Sequence, residues 1–272
     1  MKKIIITLSA ISLFTCSCGQ IAKKQSASTG NAINQNNGFP IRYDQLPIFL
    51  QIVENSSSGF YFTTPVRPNV KLQFGETYSD TFEYFDYDDE GDDFSIDAKK
   101  NGKIFPLIDN EFNDKNYARG DLCQIEWKID TMRPAGDETQ LWIQYYANKI
   151  TKIKDGAVSV FRKKYTKPLR YTYSEENYTS HTLDDIYRMV EYYLANSKQE
   201  NVKHFINDPY AELTYSIEER KWDGQTYIVI GIGNESVNEE GIATKFTFQW
   251  LYISDCIIYE YDLPNDKLVK FE

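Results

Sequence analysis

Short runs in which apolar and polar residues alternate one for one, separated by tight-turn dipeptides, constrain this chain more than any other feature. A period of two puts successive side chains on opposite faces of an extended backbone, so each run reads as a half-buried strand. "DLCQIEWKI" (121–129) is the clearest: Cys123, Ile125, Trp127 and Ile129 take one face, and Leu122, Gln124, Glu126 and Lys128 the other. "VKLQF" (70–74), "DTFEYFDY" (80–87), "DFSIDA" (93–98), "KIFPLI" (103–108) and "QLWIQYYANKITKI" (140–153) repeat the pattern, and "AVSVFRKKY" (157–165) is taken as a further strand closing the set. "DQLPIFLQIVEN" suits a strand or a short helix. The Asn101-Gly102 pair tolerates the positive φ of a hairpin turn. Residues 41–169 are therefore predicted to form a β-sandwich or small barrel.

The pattern changes after "RYTYSEENYTS" (170–180), read as a linker. Thr182 is the predicted N-cap of a helix running to about Asn196, with Asp184 and Asp185 in its first turn. Leu183, Ile186, Val190, Tyr193 and Leu194 make its apolar stripe. Five alternating runs follow, at 211–220, 225–233, 244–253, 256–263 and 267–271, with Asp223-Gly224 as the strongest turn signal. One helix followed by an antiparallel meander resembles cystatin-like and nuclear-transport-factor-like domains over residues 181–272. The fold class expected for the whole chain is α+β, mostly antiparallel β.

The N-terminus has a different character. "MKKIIITLSAISLFTCSCGQ" opens with Lys2 and Lys3 and continues with an apolar run from Ile4 to Phe14, too short to span a bilayer as a helix. With the small residues and cysteines that follow, it resembles the signal peptide and lipobox of bacterial lipoproteins, in which one cysteine becomes the lipidated first residue of the mature chain. Cys16 has Phe14 and Thr15 before it. Cys18 has small residues at the preceding positions and Gly19 after it, and is the expected lipidation site. Residues 1–17 are then a signal peptide, and the polar, Asn- and Ser-rich residues 18–40 a tether. Buried acyl chains contribute about 0.8 kcal/mol per methylene, enough for lasting membrane attachment. The residues after Cys18 include Lys23 and Lys24 rather than an acidic tract, which favours a periplasm-facing anchor over the cell surface.

The chain carries 30 basic and 40 acidic residues, a net charge of −10. Loss of residues 1–17 removes two lysines and no acid, leaving 28 basic against 40 acidic residues, a net −12. Nucleic acid is an unsuitable partner, since that binding rests on phosphate neutralisation by Lys and Arg. A basic protein suits the charge. The 21 tyrosines fit half-buried sheets, and with only two histidines, His181 and His204, imidazole chemistry is scarce.

The densest constellation is "DYDDEGDD" (86–93). Aligned as a calcium loop, Asp86, Asp88 and Glu90 take positions one, three and five, Gly91 the sharp turn, and Asp97 position twelve. Asp where a bidentate Glu is usual, and strands where helices should flank it, favour the plainer reading of a solvated acidic hairpin tip. Cys123 and Cys256 are the thiols left to pair in an oxidising compartment; they suit either a disulfide or two separate buried thiols. "GIGN" (231–234) lacks the third glycine and the helix of a phosphate loop and reads as a bulge or a strand end. His181 has Ser180, Asp184 and Asp185 near it in sequence but no strained serine turn. No catalytic residue and no cofactor is expected, calcium at the acidic tip being the less favoured reading. An anchored acidic body rich in Tyr and without a nucleophile motif suits a protein-binding module, in its sharpest form an immunity protein that neutralises an interbacterial toxin. A scaffold, or a glycan- or peptide-binding accessory with an aromatic pocket in the C-terminal half, is the alternative.

Overall fold

A computed structural model describes residues 41–42, 47, 50–55, 59–89, 93–109, 117–133, 141–173, 178–237 and 243–271. Cys16, Cys18 and the tether lie outside the described residues, as do Glu90 and Gly91. Contacts divide the described residues into two units, 41–167 with 191–207, and 168–190 with 208–271. No helix among the described residues is long and apolar enough to cross a membrane.

The first unit begins with β1 (Ile41–Arg42) and a hairpin of β2 (Gln51–Asn55) and β3 (Gly59–Thr63). Five longer strands follow: β4 (Thr77–Asp88), β5 (Ser95–Lys100), β6 (Lys103–Ile108), β7 (Leu122–Met132) and β8 (Leu141–Lys154). They close into a small barrel. The first half of β4 pairs with β7 and its second half with β5; β6 joins β5 to β8 and runs parallel to β8, which returns to β7. This Greek-key order, 4-5-6-8-7 and back to 4, is that of the OB-fold. Of the two architectures the alternation permits, the barrel is the one formed. Closure buries Phe82, Ile96, Phe105, Leu107, Ile125, Trp127, Ile129 and Tyr145 inside it. Phe105 and Trp127 meet Tyr145 edge to face, with ring centroids 6.3 and 5.8 Å away. Each such side chain contributes about 1.5–3 kcal/mol on burial.

Asn101 and Gly102 adopt φ of 53° and 73° in the expected turn. Two readings of this unit are corrected. Residues 70–74 form no strand, only an isolated bridge between Phe62 and Leu72. Residues 157–164 are α1 (Ala157–Lys164), not a closing strand. Val158, Phe161 and Tyr165 are buried at helical spacing, a pattern too short to outweigh the β-prone composition of the segment. A remote carboxylate starts the helix. Asp121 accepts hydrogen bonds from the Gly156 N–H (2.7 Å) and the Ser159 hydroxyl (2.9 Å) at its first turn.

The second unit is a six-stranded sheet in the order β14-β13-β12-β11-β10-β9. Here β9 is Arg170–Tyr173, β10 Glu212–Trp222, β11 Gln225–Val237, β12 Ala243–Ser254, β13 Ile257–Asp262 and β14 Lys267–Lys270. The predicted linker thus holds a strand, β9, paired parallel with β10, a long-range pairing that four residues do not announce. The expected meander makes the rest, with Asp223 and Gly224 at φ of 47° and 80°. The expected helix is α2 (Ser180–Asn196). It starts earlier than predicted: Thr179 Oγ1, not Thr182, accepts from a first-turn N–H, that of Thr182 at 3.1 Å. A further helix, α3 (Glu200–Asn207), belongs with the barrel unit. Its sequence signal is the Ser197…Glu200 capping-box spacing, and the Ser197 hydroxyl accepts from the Gln199 N–H at 3.2 Å.

Candidate functional site

The barrel wall gathers acids through one extra residue. Phe82 and Tyr84 of β4 point into the barrel, and strict alternation would send Asp86 and Asp88 in after them. Instead the pairing with β5 shifts between Tyr84 and Asp86. Beyond this bulge Asp86 lies opposite Asp97, Tyr87 opposite the buried Ile96, and Asp88 opposite Ser95. The bulge turns the tyrosine inward and the aspartates outward, as bulges next to functional surfaces do. Burying two ionised carboxylates in the barrel would be far more costly than one lost ladder bond.

The registers carry this wall around the barrel. Asp97 lies opposite Pro106 of β6, Ser95 opposite Ile108, and Ile108 beside Tyr146 of β8. Tyr146 faces Lys128 of β7, which is paired with Asp130 at 2.5 Å. The electrostatics follow the geometry. Burial, then the charges of Asp86 and Asp88, raise the Asp97 carboxyl from an ordinary 3.8 to about 6. Burial, then Asp130 and Asp93, push the Tyr146 phenol up to about 12. Asp86 and Asp88 of β4 thus act on Asp97 of β5, and Asp130 of β7 and Asp93 act on Tyr146 of β8.

Three of the four calcium-loop residues, Asp86, Asp88 and Asp97, are therefore neighbours, while Glu90 lies outside the described residues. They come from paired strands, not from a continuous loop wrapped around a centre. Among the described residues no group of three or more His, Cys, Asp or Glu is placed to hold a metal ion.

Cys123 is a free thiol wholly buried in the barrel core. Burial and then Asp121 raise its pKa to about 11, so it packs as a small apolar side chain. Cys256, the other thiol offered for a disulfide, belongs to the other unit and lies in the β12–β13 turn at a φ of 59°. His181 lies inside α2, its Nε2 3.2 Å from Asp185 Oδ2. Arg188 also bonds Asp185, and His204 packs beside Phe205 on α3. "GIGN" falls within β11, and its register shift against β12 comes between Ile232 and Gly233, the bulge of the two readings, not the strand end.

Two further carboxylates escaped sequence reading because their partners are remote. Asp80 accepts from Arg67 Nε (2.7 Å), Lys100 Nζ (2.6 Å) and the Trp127 indole N–H (2.8 Å). Burial alone would raise its carboxyl; these donors outweigh it and hold Asp80 below the usual range. Asp121, fully buried, accepts from the Ala118 and Gly156 N–H groups, the Ser159 hydroxyl and Lys152 Nζ. Burial again opposes, and the donors prevail. Both clusters are saturated with donors, which marks them as structural. The wall at Asp97 differs: its neighbours repel it.

No protein-family model matches the chain, and no curated protein matches it. Among solved structures, the aspartyl tRNA synthetase of Entamoeba histolytica is similar at 10% identity, over 81% of this chain and 58% of that one, with a TM-score of 0.20. This chain spans 58% of that protein's length. A likeness at that score carries no argument about fold or activity.

Proposed function

We propose that this chain is a lipid-anchored envelope protein that binds a basic protein partner through the acidic wall of its barrel, in the sharpest form an immunity protein that neutralises an interbacterial toxin. The observation that carries the reading is the register that sets Asp86 opposite Asp97, with Asp88 further along the same strand; burial, and then these two charges, raise the Asp97 carboxyl to about 6. Like charges held together cost stability, and a partner's Lys or Arg side chains offset that cost when they dock. The place fits. Barrels of this strand order take ligands on the face of their second and third strands, here β5 and β6, beside the loop that joins the first two. The acids there select against phosphate backbones and for cations. A net −12 after processing speeds encounter with a basic domain. The lipid at Cys18 keeps the body at the periplasmic face of a membrane.

The test is affinity capture with detergent-solubilised full-length protein from lysates of competing bacteria, beside the Asp86→Asn/Asp88→Asn/Asp97→Asn variant. The expected result is a stoichiometric basic protein, released by moderate salt and lost from the variant. Capture of an acidic protein, or equal capture by the variant, overturns the reading.

A further inference from the structure

A second surface goes beyond that reading. In the register of the C-terminal sheet, Glu218, Arg220 and Trp222 of β10 share one face with Tyr227 and Gly231 of β11, Trp250 and Tyr252 of β12, and Tyr259 and Tyr261 of β13. The opposite face holds the buried Leu213, Tyr215, Ile217, Ile230 and Leu251. Trp250 lies across the strand at Gly231, where a Cβ would come within 2.7 Å of its ring. Arg220 sits 4.5 Å above that ring and pairs with Glu218 at 2.6 Å. Trp222 meets Tyr252 and Tyr261 edge to face at 5.7 and 5.5 Å, and Tyr227 meets Tyr252 and Tyr259 at 5.6 and 6.2 Å. Trp222, Tyr227, Trp250, Tyr259 and Tyr261 are each half-buried, so ring faces and phenol groups reach the surface together.

Charge decides what such a face can take. Glu218 and Glu212 are each paired with an arginine, Arg220 and Arg170, the second at 3.3 Å. Within a chain of net −10 the centre of this patch carries its charges matched, and Lys270, opposite Tyr259, adds one positive charge at the edge; such a face complements neither a polyanion nor a strongly basic segment. Rings offer C–H contacts, and the phenols, Gln225 and Ser254 offer hydrogen bonds at the rim. Together they match a ligand with apolar C–H faces and many hydroxyls. We infer that the aromatic face of the C-terminal sheet binds an uncharged polysaccharide, with Trp222, Tyr227 and Tyr259 as its stacking surface.

The test uses full-length protein in detergent titrated with chitohexaose, cellohexaose and maltohexaose, read by tryptophan fluorescence and calorimetry. At least one should bind saturably, without salt dependence. Trp222→Ala and Tyr259→Ser should each weaken it roughly tenfold while thermal unfolding stays cooperative. Retained secondary structure and melting in Tyr259→Ser, the milder change, separates lost contact from lost fold. Failure of all three sugars to bind, or undiminished binding by both folded variants, overturns the inference. A response to heparin but to no neutral sugar overturns it too. Any of these results leaves the acidic-wall reading standing, since its capture assay reports on a different unit.

Discussion

Replacing Asp97 by Asn should stabilise the protein, and only at neutral pH. In the folded chain the carboxyl is raised from 3.8 to about 6, chiefly by burial and then by Asp86 and Asp88. An acid whose folded pKa lies above its unfolded value holds its proton more tightly when folded. Folding therefore takes up protons between about pH 4 and pH 6, and stability falls as pH rises through that window. Each pKa unit is worth about 1.36 kcal/mol, so the loss at pH 7.5 is about 3 kcal/mol. Asn has the shape of the protonated acid and carries no charge. Asp97→Asn should thus recover about 2–3 kcal/mol at pH 7.5 and almost nothing at pH 4, where Asp97 itself is neutral. The assay is urea unfolding at both pH values, followed by near-ultraviolet circular dichroism, with the m-value checked for constancy. A variant less stable than the parent at pH 7.5, or one with the same gain at both pH values, would refute the argument. Functional surfaces commonly give up stability for binding, so this gain should be accompanied by weaker capture of the basic partner.

Other perturbations have equally definite outcomes. Asp121→Ala leaves two buried N–H groups and the Ser159 hydroxyl without their acceptor and should destabilise the barrel unit by about 3–5 kcal/mol in urea unfolding; a loss under 1 kcal/mol would show that water replaces the carboxylate. Because its folded pKa is depressed, the stability it supplies is present above about pH 4 and is lost as pH falls through the folded value. Gly156→Ala places a Cβ 2.2 Å from the Gly120 carbonyl carbon, backbone that has no flexible end to yield, and should cost about 1–3 kcal/mol in thermal or urea unfolding. Cys18→Ala should abolish palmitate labelling and leave the chain unprocessed or released from membranes, whereas Cys16→Ala should not; labelling that follows Cys16 reassigns the anchor.

Local chemistry made much of this protein legible. Alternation marked β7 and β8 to within about three residues, because most of β7 and the first half of β8 alternate one buried with one wetter side chain. Asn101-Gly102 and Asp223-Gly224 marked turns because only such pairs accept two successive positive φ values cheaply. What escaped were features whose cause is distant in sequence. The helix at 157–164 depends on Asp121, more than thirty residues earlier, and β9 depends on a parallel neighbour more than forty residues later. The candidate site lies between these cases. Its acids were plain in "DYDDEGDD", but their direction was not. A single unpaired residue, Phe85, reverses the phase of β4, and only pairing against β5 reveals it. Composition fixed that the chain would be acidic, aromatic and sheet-rich. The closing of β4 onto β7 and of β6 onto β8 decided which carboxylates face each other on the wall and which rings fill the barrel, because both depend on strands meeting across the chain, and alternation within one strand carries no record of its partner.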